Sequence, residues 1–353
     1  MGERVLVAMS GGVDSSVAAA LMVEAGHEVV GATMKLWGGA SDSGCCSVAD
    51  VDDARRVAQQ LGIVHHVFNF GDDFETHVVG PYVADHAAGR TPNPCVECNR
   101  HLKFDRFLHR AAQLGFDAVA TGHHARITSE GGSWQLRRGA DRAKDQSYVL
   151  SMLGQAQLSR VRLPVGELTK AEVRERAAAL GLRTAAKADS QDVCFITSTG
   201  GRHAFLSQRI DLRRGRVLDA ATGTEIGQVP AIELVSVGQR RGMGSGGAGA
   251  GAPQGQRRYA IAVDTEDRTV TAGTQADLLT DALAISLAGW SWTDEPVPAG
   301  TAVWAQVSAH GTPRAAVLDA GGLRWRKPEN RVAPGQTIAI YDGDSVLGSA
   351  VAA

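Results

Sequence analysis

Apolar runs and helical periods alternate along the first half of the chain. Arg4-Val-Leu-Val-Ala-Met9 is a buried-strand run, broken by Ser10-Gly11-Gly12-Val13-Asp14-Ser15-Ser16 and resumed by the helix formers Val17 to Leu21. Glu28 to Met34 and His65 to Phe70 read as further strands, and Asp117 to Thr121 as a fourth. Between them the spacing predicts helices over 50–61, 73–88 and 99–114, the first stopped by Gly62. Thr169-Lys-Ala-Glu172 is a capping box, and the helix it opens stops at Gly181. Such alternation predicts a parallel sheet with helices on both faces, with ligands bound beyond the carboxyl ends of its strands. The Ser10–Ser16 loop, Met34 and Gly122-His123-His124 are therefore expected to meet.

The pattern changes after about residue 205. Short β-rich runs follow: Arg216-Val-Leu, Leu234-Val-Ser-Val, Tyr259-Ala-Ile-Ala-Val, Thr269-Val-Thr, Thr301 to Val307 and Gln336 to Tyr341. Gly242 to Gly255 is almost all glycine, alanine and serine, and reads as a mobile loop. The expected fold class is α/β: a Rossmann-like parallel-sheet domain over 1–205, then two small β-rich, barrel-like domains over 206–272 and 273–353.

Composition narrows the function classes. A chain of 353 residues with 44% hydrophobic residues has a sizeable core and is not a disordered segment. A net charge of −2 excludes a uniformly basic nucleic-acid binder. It leaves room for local arginine clusters such as Arg213-Arg214, Arg240-Arg241 and Arg324-Trp-Arg326-Lys327, each of which alone reads as a solvated face. The charged start reads as no signal peptide, and no apolar run is long enough to span a bilayer, so a cytoplasmic location is expected.

The chemistry is carried by the first loop and by five cysteines. Glycines at a strand-to-helix joint aim backbone N–H groups and a positive helix end at one point, which suits a phosphate. Asp14 beside an anion implies an intervening cation, which suggests Mg²⁺. Cys95 and Cys98 lie in Thr91-Pro92-Asn93-Pro94-Cys95-Val96-Glu97-Cys98, read as just ahead of a helix whose N-terminus would favour a thiolate at Cys98. Cys194 sits in Asp189-Ser-Gln-Asp192-Val-Cys194-Phe, and Cys45-Cys46 read as ordinary loop or core residues. The three contextual cysteines admit inert buried thiols, a persulfide relay, or three soft ligands for a 4Fe–4S cluster with one open iron.

The loop string S-G-G-V-D-S resembles the signature of the PP-loop ATP pyrophosphatases. With Gly31 to Trp37, Thr91-Pro-Asn-Pro94, Cys98 to Phe104, Ala120-Thr-Gly-His123, Lys144-Asp-Gln-Ser-Tyr148, Asp189 to Phe195, Val237-Gly-Gln-Arg-Arg241 and Tyr341-Asp-Gly343 in order, the chain resembles the bacterial tRNA-specific 2-thiouridylases. That resemblance implies ATP-dependent 2-thiolation of a tRNA wobble uridine, with ATP and Mg²⁺ and a protein-borne persulfide. It implies ATP binding at Ala8, Met9, Ser10, Gly11, Gly12, Val13, Asp14, Ser15, Met34 and Gly122. It further implies a nucleophile at Cys98, a persulfide carrier at Cys194, and a Cys98–Cys194 disulfide at one stage of the cycle. Asn93, Pro94 and Cys95 match the target-base segment, and His123, Lys144, Asp145, Gln146 and Gln336 match tRNA contacts. The implied partners are the anticodon stem-loop of tRNA and a persulfide donor such as a cysteine desulfurase or sulfur-relay protein. A monomer is expected.

Three positions depart from the family pattern. Cys95 stands where many members have aspartate, which either leaves a two-cysteine relay untouched or completes a cluster site. Ser308-Ala309 replace an arginine-tyrosine pair, moving the expected tRNA grip toward Arg314 or Arg324–Arg326. Val229 replaces a histidine. Other readings of the same loop are an amide-forming ligase and a non-catalytic RNA-binding module.

Overall fold

The structure, a computed structural model, describes residues 2–36, 47–189, 193–196, 200–243 and 257–353. The expectations for Trp37, Cys45 and Cys46, for Ser190 to Asp192, and for most of the Gly242–Gly255 loop lie outside the described residues.

The first strands are β1 (Arg4–Ala8), β2 (Glu28–Lys35), β3 (Val64–Asn69) and β4 (Ala118–Ala120). A hairpin of β5 (Ala125–Glu130) and β6 (Ser133–Arg138) follows, then the short β7 (Val161–Arg162). Five of these strands form a wholly parallel sheet in the order β3-β2-β1-β4-β7. Period-two alternation along β1 sends its side chains to two cores. Val5 and Val7 pack with Val17, Ala18 and Val57 on one face, while Leu6 and Ala8 pack with Phe107 and Leu108 on the other. The order reverses at β1, so the crevice of such a sheet opens between the ends of β1 and β4. Helix α1 (Val13–Glu24) starts at that point, and helix α2 (Val48–Gln60) covers the same face, capped by the Ser47 side chain.

The second half is β-rich, as expected. Strands β8 (Gly215–Asp219), β9 (Glu225–Val229), β10 (Tyr259–Asp264) and β11 (Thr269–Gly273) form a four-stranded sheet in the order β10-β11-β8-β9. The strand expected at Leu234–Val237 is instead a 3-10 turn, Ile232–Leu234. Pro230 cannot donate to a ladder, and buried Glu233 bends inward to accept from the Arg213 backbone N–H at 3.0 Å and from its Nε at 2.8 Å.

The last strands are β12 (Leu279–Ala284), β13 (Ser291–Trp292), β14 (Ala302–Gln306), β15 (Arg314–Asp319), β16 (Gly322–Asn330), β17 (Thr337–Asp342) and β18 (Ser345–Val351). They run β12-β16-β15-β14-β17-β18, and the Ile285–Ala352 bridge joins the end of β12 back to the end of β18. The ring encloses Val303, Leu318, Trp325, Ile338 and Ile340. Strand β18 also pairs with β6 at Ser345 and Arg137, so a hairpin from the first half extends the last sheet. One core, including Leu136, Tyr148, Leu150, Tyr341 and Val346, spans that junction.

Candidate active site

Residues from stretches far apart in the sequence line one cavity of about 410 Å³. The end of β1 and the following loop contribute Ala8, Met9, Ser10, Asp14 and Ser15, and the end of β2 contributes Met34. Gly122 and His123 follow β4, and Lys144, Asp145 and Gln146 follow the hairpin. Pro94, Cys95, Cys98 and Cys194 complete the wall. The expected meeting of the Ser10–Ser16 loop, Met34 and Gly122-His123-His124 is therefore what the topology produces. Gly11, Gly12, Val13, Asn93 and Gln336 do not line the cavity but stand behind it.

The loop is built for close approach. Gly12 is the N-cap of α1 and lends no side-chain cap, so the first-turn N–H groups keep no partner inside the helix. The loop is folded back on the helix start: Ser10 N–H donates to Ser15 Oγ at 3.2 Å, and Ser15 Oγ donates to the Gly12 carbonyl at 3.1 Å. Gly11 adopts φ +72°, and a Cβ there would meet the Asp50 carbonyl oxygen at 2.2 Å. A Cβ on Gly122 would lie 2.6 Å from backbone atoms of Asp14 and Ser15, so the β4 loop touches the phosphate loop only as glycine. With Met9, Met34 and Leu36 as an apolar side and these backbone groups as a polar end, the cavity fits an adenine nucleotide.

Asp14 faces a cation, but that cation is a side chain the sequence reading passed over. Lys170 Nζ donates to both Asp14 oxygens at 2.8 and 2.7 Å, and His124 Nε2 lies 3.1 Å from one of them. Burial alone would raise the Asp14 carboxyl, yet the hydrogen bonds from His124 and Lys170 hold it below the usual carboxylate range. Among the described residues no three His, Cys, Asp or Glu side chains are grouped to hold a metal. The Asp14 carboxylate is thus engaged by Lys170 and His124. Lys170 was legible only as part of a capping box, where Thr169 accepts from Glu172 N–H at 3.3 Å.

The cysteines sit differently from expectation. Pro94 occupies the first helical position and Asn93 caps it, its Oδ1 accepting from Cys95 and Val96 N–H at 3.1 and 3.3 Å. The helix therefore starts at Pro94 and continues as a π-helical stretch, Cys98–Arg106, then Phe107–Gln113. Cys95 lies in the first turn; Cys98 lies one turn further, beyond the reach of the helix-end field, which falls off within that turn. Cys98 is buried, Cys95 and Cys194 half-buried. Cys98 and Cys194 share one apolar cluster with Phe74, Tyr82 and Phe195.

Several expected tRNA contacts are engaged inside the protein. Asp145 is buried against Arg138 at 2.8 Å and accepts from Gly139 and Ser147 N–H at 2.9 and 3.0 Å. His123 is buried; Lys103 Nζ lies 3.4 Å from its Nε2 and Thr121 Oγ1 lies 2.7 Å from its Nδ1. Gln336 donates to the Thr91 carbonyl at 2.8 Å, tying the barrel to the stretch before Asn93. Lys144 and Gln146 are exposed at the rim. From the barrel the cavity receives Ala309 and His310, so the barrel's contribution is a histidine that no sequence signal marked. Arg314 and Arg324 instead pair with Glu329 and Asp319 at 3.3 and 2.7 Å.

Comparison with known proteins follows the same outline. A family model described as "tRNA methyl transferase HUP domain" matches residues 3–198, and one described as "Aminomethyltransferase beta-barrel domain" matches residues 284–352. The tRNA-specific 2-thiouridylase MnmA of Mycobacterium avium (strain 104) is 46% identical over 364 residues, covering 99% of this chain and 99% of the relative. That of Mycolicibacterium vanbaalenii is 47% identical over 361 residues, covering 98% of each. Among solved structures, the U34-tRNA thiolase NcsA from Methanococcus maripaludis aligns with TM-score 0.37 and 19% identity, covering 55% of this chain and 62% of that one. That structural likeness is too distant to bear on chemistry. Matched along nearly its whole length by the two relatives, the chain belongs to the tRNA-specific 2-thiouridylase family.

Proposed function

We propose that the protein is a tRNA-uridine 2-sulfurtransferase, converting a wobble uridine to 2-thiouridine with release of AMP and pyrophosphate. The observation that carries this reading is the single cavity on which the phosphate loop, Cys98 and Cys194 converge. An adenylating site and a sulfur carrier must reach the same carbonyl carbon, and separate cavities would not allow it.

ATP lies with its phosphates against the α1 start and Ser10, and its adenine against Met9 and Met34. The uridine leaves the stacked anticodon loop, because C2 is otherwise inaccessible. Its C2 oxygen attacks the α-phosphorus, the bond to the β-phosphate oxygen breaks, and pyrophosphate departs. The terminal sulfur of a Cys194 persulfide attacks C2, and AMP leaves with the original oxygen. Cys98 thiolate then attacks the inner sulfur of Cys194; the sulfur–sulfur bond to the base breaks and its electron pair stays on the 2-thiouridine. The resulting Cys98–Cys194 disulfide is reduced by an external thiol, and a persulfide donor reloads Cys194.

In this reading Asn93, Pro94 and Cys95 border the base, and Lys144, Gln146 and His310 meet the RNA at the rim. His123, Asp145 and Gln336 shape that rim from behind. Residues 1–205, 206–272 and 273–353 act as three units on one tRNA, in a cytoplasmic monomer. Incubating purified protein, ATP, a persulfide donor and tRNA, followed by nucleoside mass analysis, tests it. 2-Thiouridine dependent on both ATP and donor is expected; an amidated product, or none, would overturn it.

A further inference from the structure

The phosphate loop has a back as well as a front. Behind it, Lys187 Nζ donates to the Gly11 carbonyl at 2.9 Å, to Asp50 Oδ1 at 2.6 Å and to Asp53 Oδ2 at 2.8 Å. An ammonium has three N–H donors, so all of them are spent there and none remains for a ligand. The clasp is itself held. Asp50 and Asp53 belong to α2; Asp50 Oδ2 accepts from Ser47 Oγ at 2.7 Å, and Asp53 Oδ1 pairs with Arg183 Nε at 2.9 Å. Arg174 donates to the Lys187 carbonyl at 2.9 Å, fixing the backbone that carries the lysine. Burial alone would lower Lys187, yet the hydrogen bonds to Asp50 and Asp53 hold it above its ordinary value, so it stays charged.

Gly11 needs such a clasp. Its φ is +72°, and with Gly12 next to it the peptide between them is free to turn over, because glycine takes either sign of φ at little cost. In a trans peptide the carbonyl and the following N–H point to opposite sides. Holding the Gly11 carbonyl back onto Lys187 therefore turns the Gly12 N–H the other way. Among the described residues no group accepts from that N–H, which stands at the N-cap of α1 beside the orphan first-turn donors. An ion cluster of this kind adds little net stability, because desolvation offsets most of the attraction. What it fixes is a direction.

We propose that Lys187 is a positioning residue of the nucleotide site, setting the Gly11–Gly12 peptide so that the Gly12 N–H faces the phosphates of ATP. The inference rests on the reading of the cavity as an ATP site. Lys187 acts through the backbone and does not touch ATP. Its loss removes phosphate binding and leaves the adenosine end, against Met9 and Met34, as it was.

Isothermal titration of the full chain with ATP and, separately, with adenosine tests this. The proteins are wild type, Lys187→Met, Lys187→Arg and the triple variant Asp50→Asn/Asp53→Asn/Lys187→Met. Lys187→Met should weaken ATP binding about 10- to 100-fold, the loss of one N–H donated to a charged group, and leave adenosine unchanged. Lys187→Arg should recover most of the ATP affinity, since a guanidinium still has donors for the carbonyl and both carboxylates. The triple variant removes the carboxylates that Lys187→Met would strand, so it remains informative should the single variant misfold. It should stay weak for ATP alone. Wild-type ATP affinity in the triple variant would mean that Lys187 only neutralises Asp50 and Asp53, and overturns the proposal. Unchanged ATP affinity in Lys187→Met overturns it too, as does an equal loss for ATP and adenosine. A wild type that binds no ATP overturns the nucleotide reading itself.

Discussion

The guanidinium of Arg138 stacks over the ring of Tyr341 at 3.6 Å while pairing with buried Asp145 at 2.8 Å. Its second arm donates to Gln306 Oε1 at 2.9 Å, and the Gln306 amide donates to the carbonyls of Ser308 and Ala309 at 2.9 and 3.1 Å. One side chain thus joins the hairpin, the Lys144–Gln146 rim and the barrel loop that carries His310. Arg138→Met should leave Asp145 buried and unpaired and cost about 3–5 kcal/mol of stability, the usual loss for half of a buried pair. Denaturant unfolding checks it; a loss under about 1 kcal/mol, as for a surface pair, would contradict the linkage.

Gly122→Ala should impair ATP binding without unfolding the chain. The added methyl would sit 2.6 Å from Asp14 and Ser15 backbone atoms, forcing the β4 loop off the start of α1. Titration with ATP beside circular dichroism separates the two effects. Unchanged affinity would mean that the contact of the two loops does not shape the nucleotide site.

His310→Ala should raise the KM for tRNA about tenfold with little change in ATP affinity, within the roughly 1–3 kcal/mol that stacking one base on a side-chain ring contributes. Steady-state thiolation at varied tRNA reads it. A KM equal to wild type would move the barrel's RNA contact elsewhere.

Stability should fall on mild acidification. Burial pushes the His65 imidazole down to about 4, with Arg55 and His66 adding to it. Burial likewise lowers His86, against the opposing hydrogen bond to the Glu233 carbonyl, and holds His123 well below its ordinary value, with Lys103 and His124 nearby. All three are neutral when folded, whereas in the unfolded chain they take up protons near pH 6.5. Their contribution is full above that pH and is lost as pH falls from about 6.5 toward 4. Urea midpoints at pH 7.5, 6 and 5 should decline in that order; a flat series would contradict the assignment.

How much of this was legible in the sequence depended on whether the signal was local. Strands β1, β2 and β4 stood out because parallel strands in the middle of a sheet read as apolar runs, whereas the edge strand β3, Val64–Asn69, is largely exposed and showed only through its β-branched and aromatic residues. The Thr169 capping box was visible because its partners are three residues apart. The β5–β6 hairpin was not, since Ala125–Glu130 and Ser133–Arg138 are half-exposed and β6 finds its outer neighbour, Ser345, only in the last strand. The spacing predicts a helix only from residue 99, whereas proline suits the first helical turn and the Asn93 side chain caps it, so the helix begins at Pro94. Lys170, Asp189 and His310 carry no spacing rule; only the fold brings them to one wall. The cysteines and the glycine loop were legible because their chemistry restricts which residue types can serve.

The central claim is that sulfur reaches the base through Cys194 after the loop has activated it. The most direct measurement is a single turnover of Cys194→Ala with tRNA, ATP and a persulfide donor, following pyrophosphate and 2-thiouridine together. Pyrophosphate release with no 2-thiouridine is the predicted result. Formation of 2-thiouridine at the wild-type rate would contradict the account.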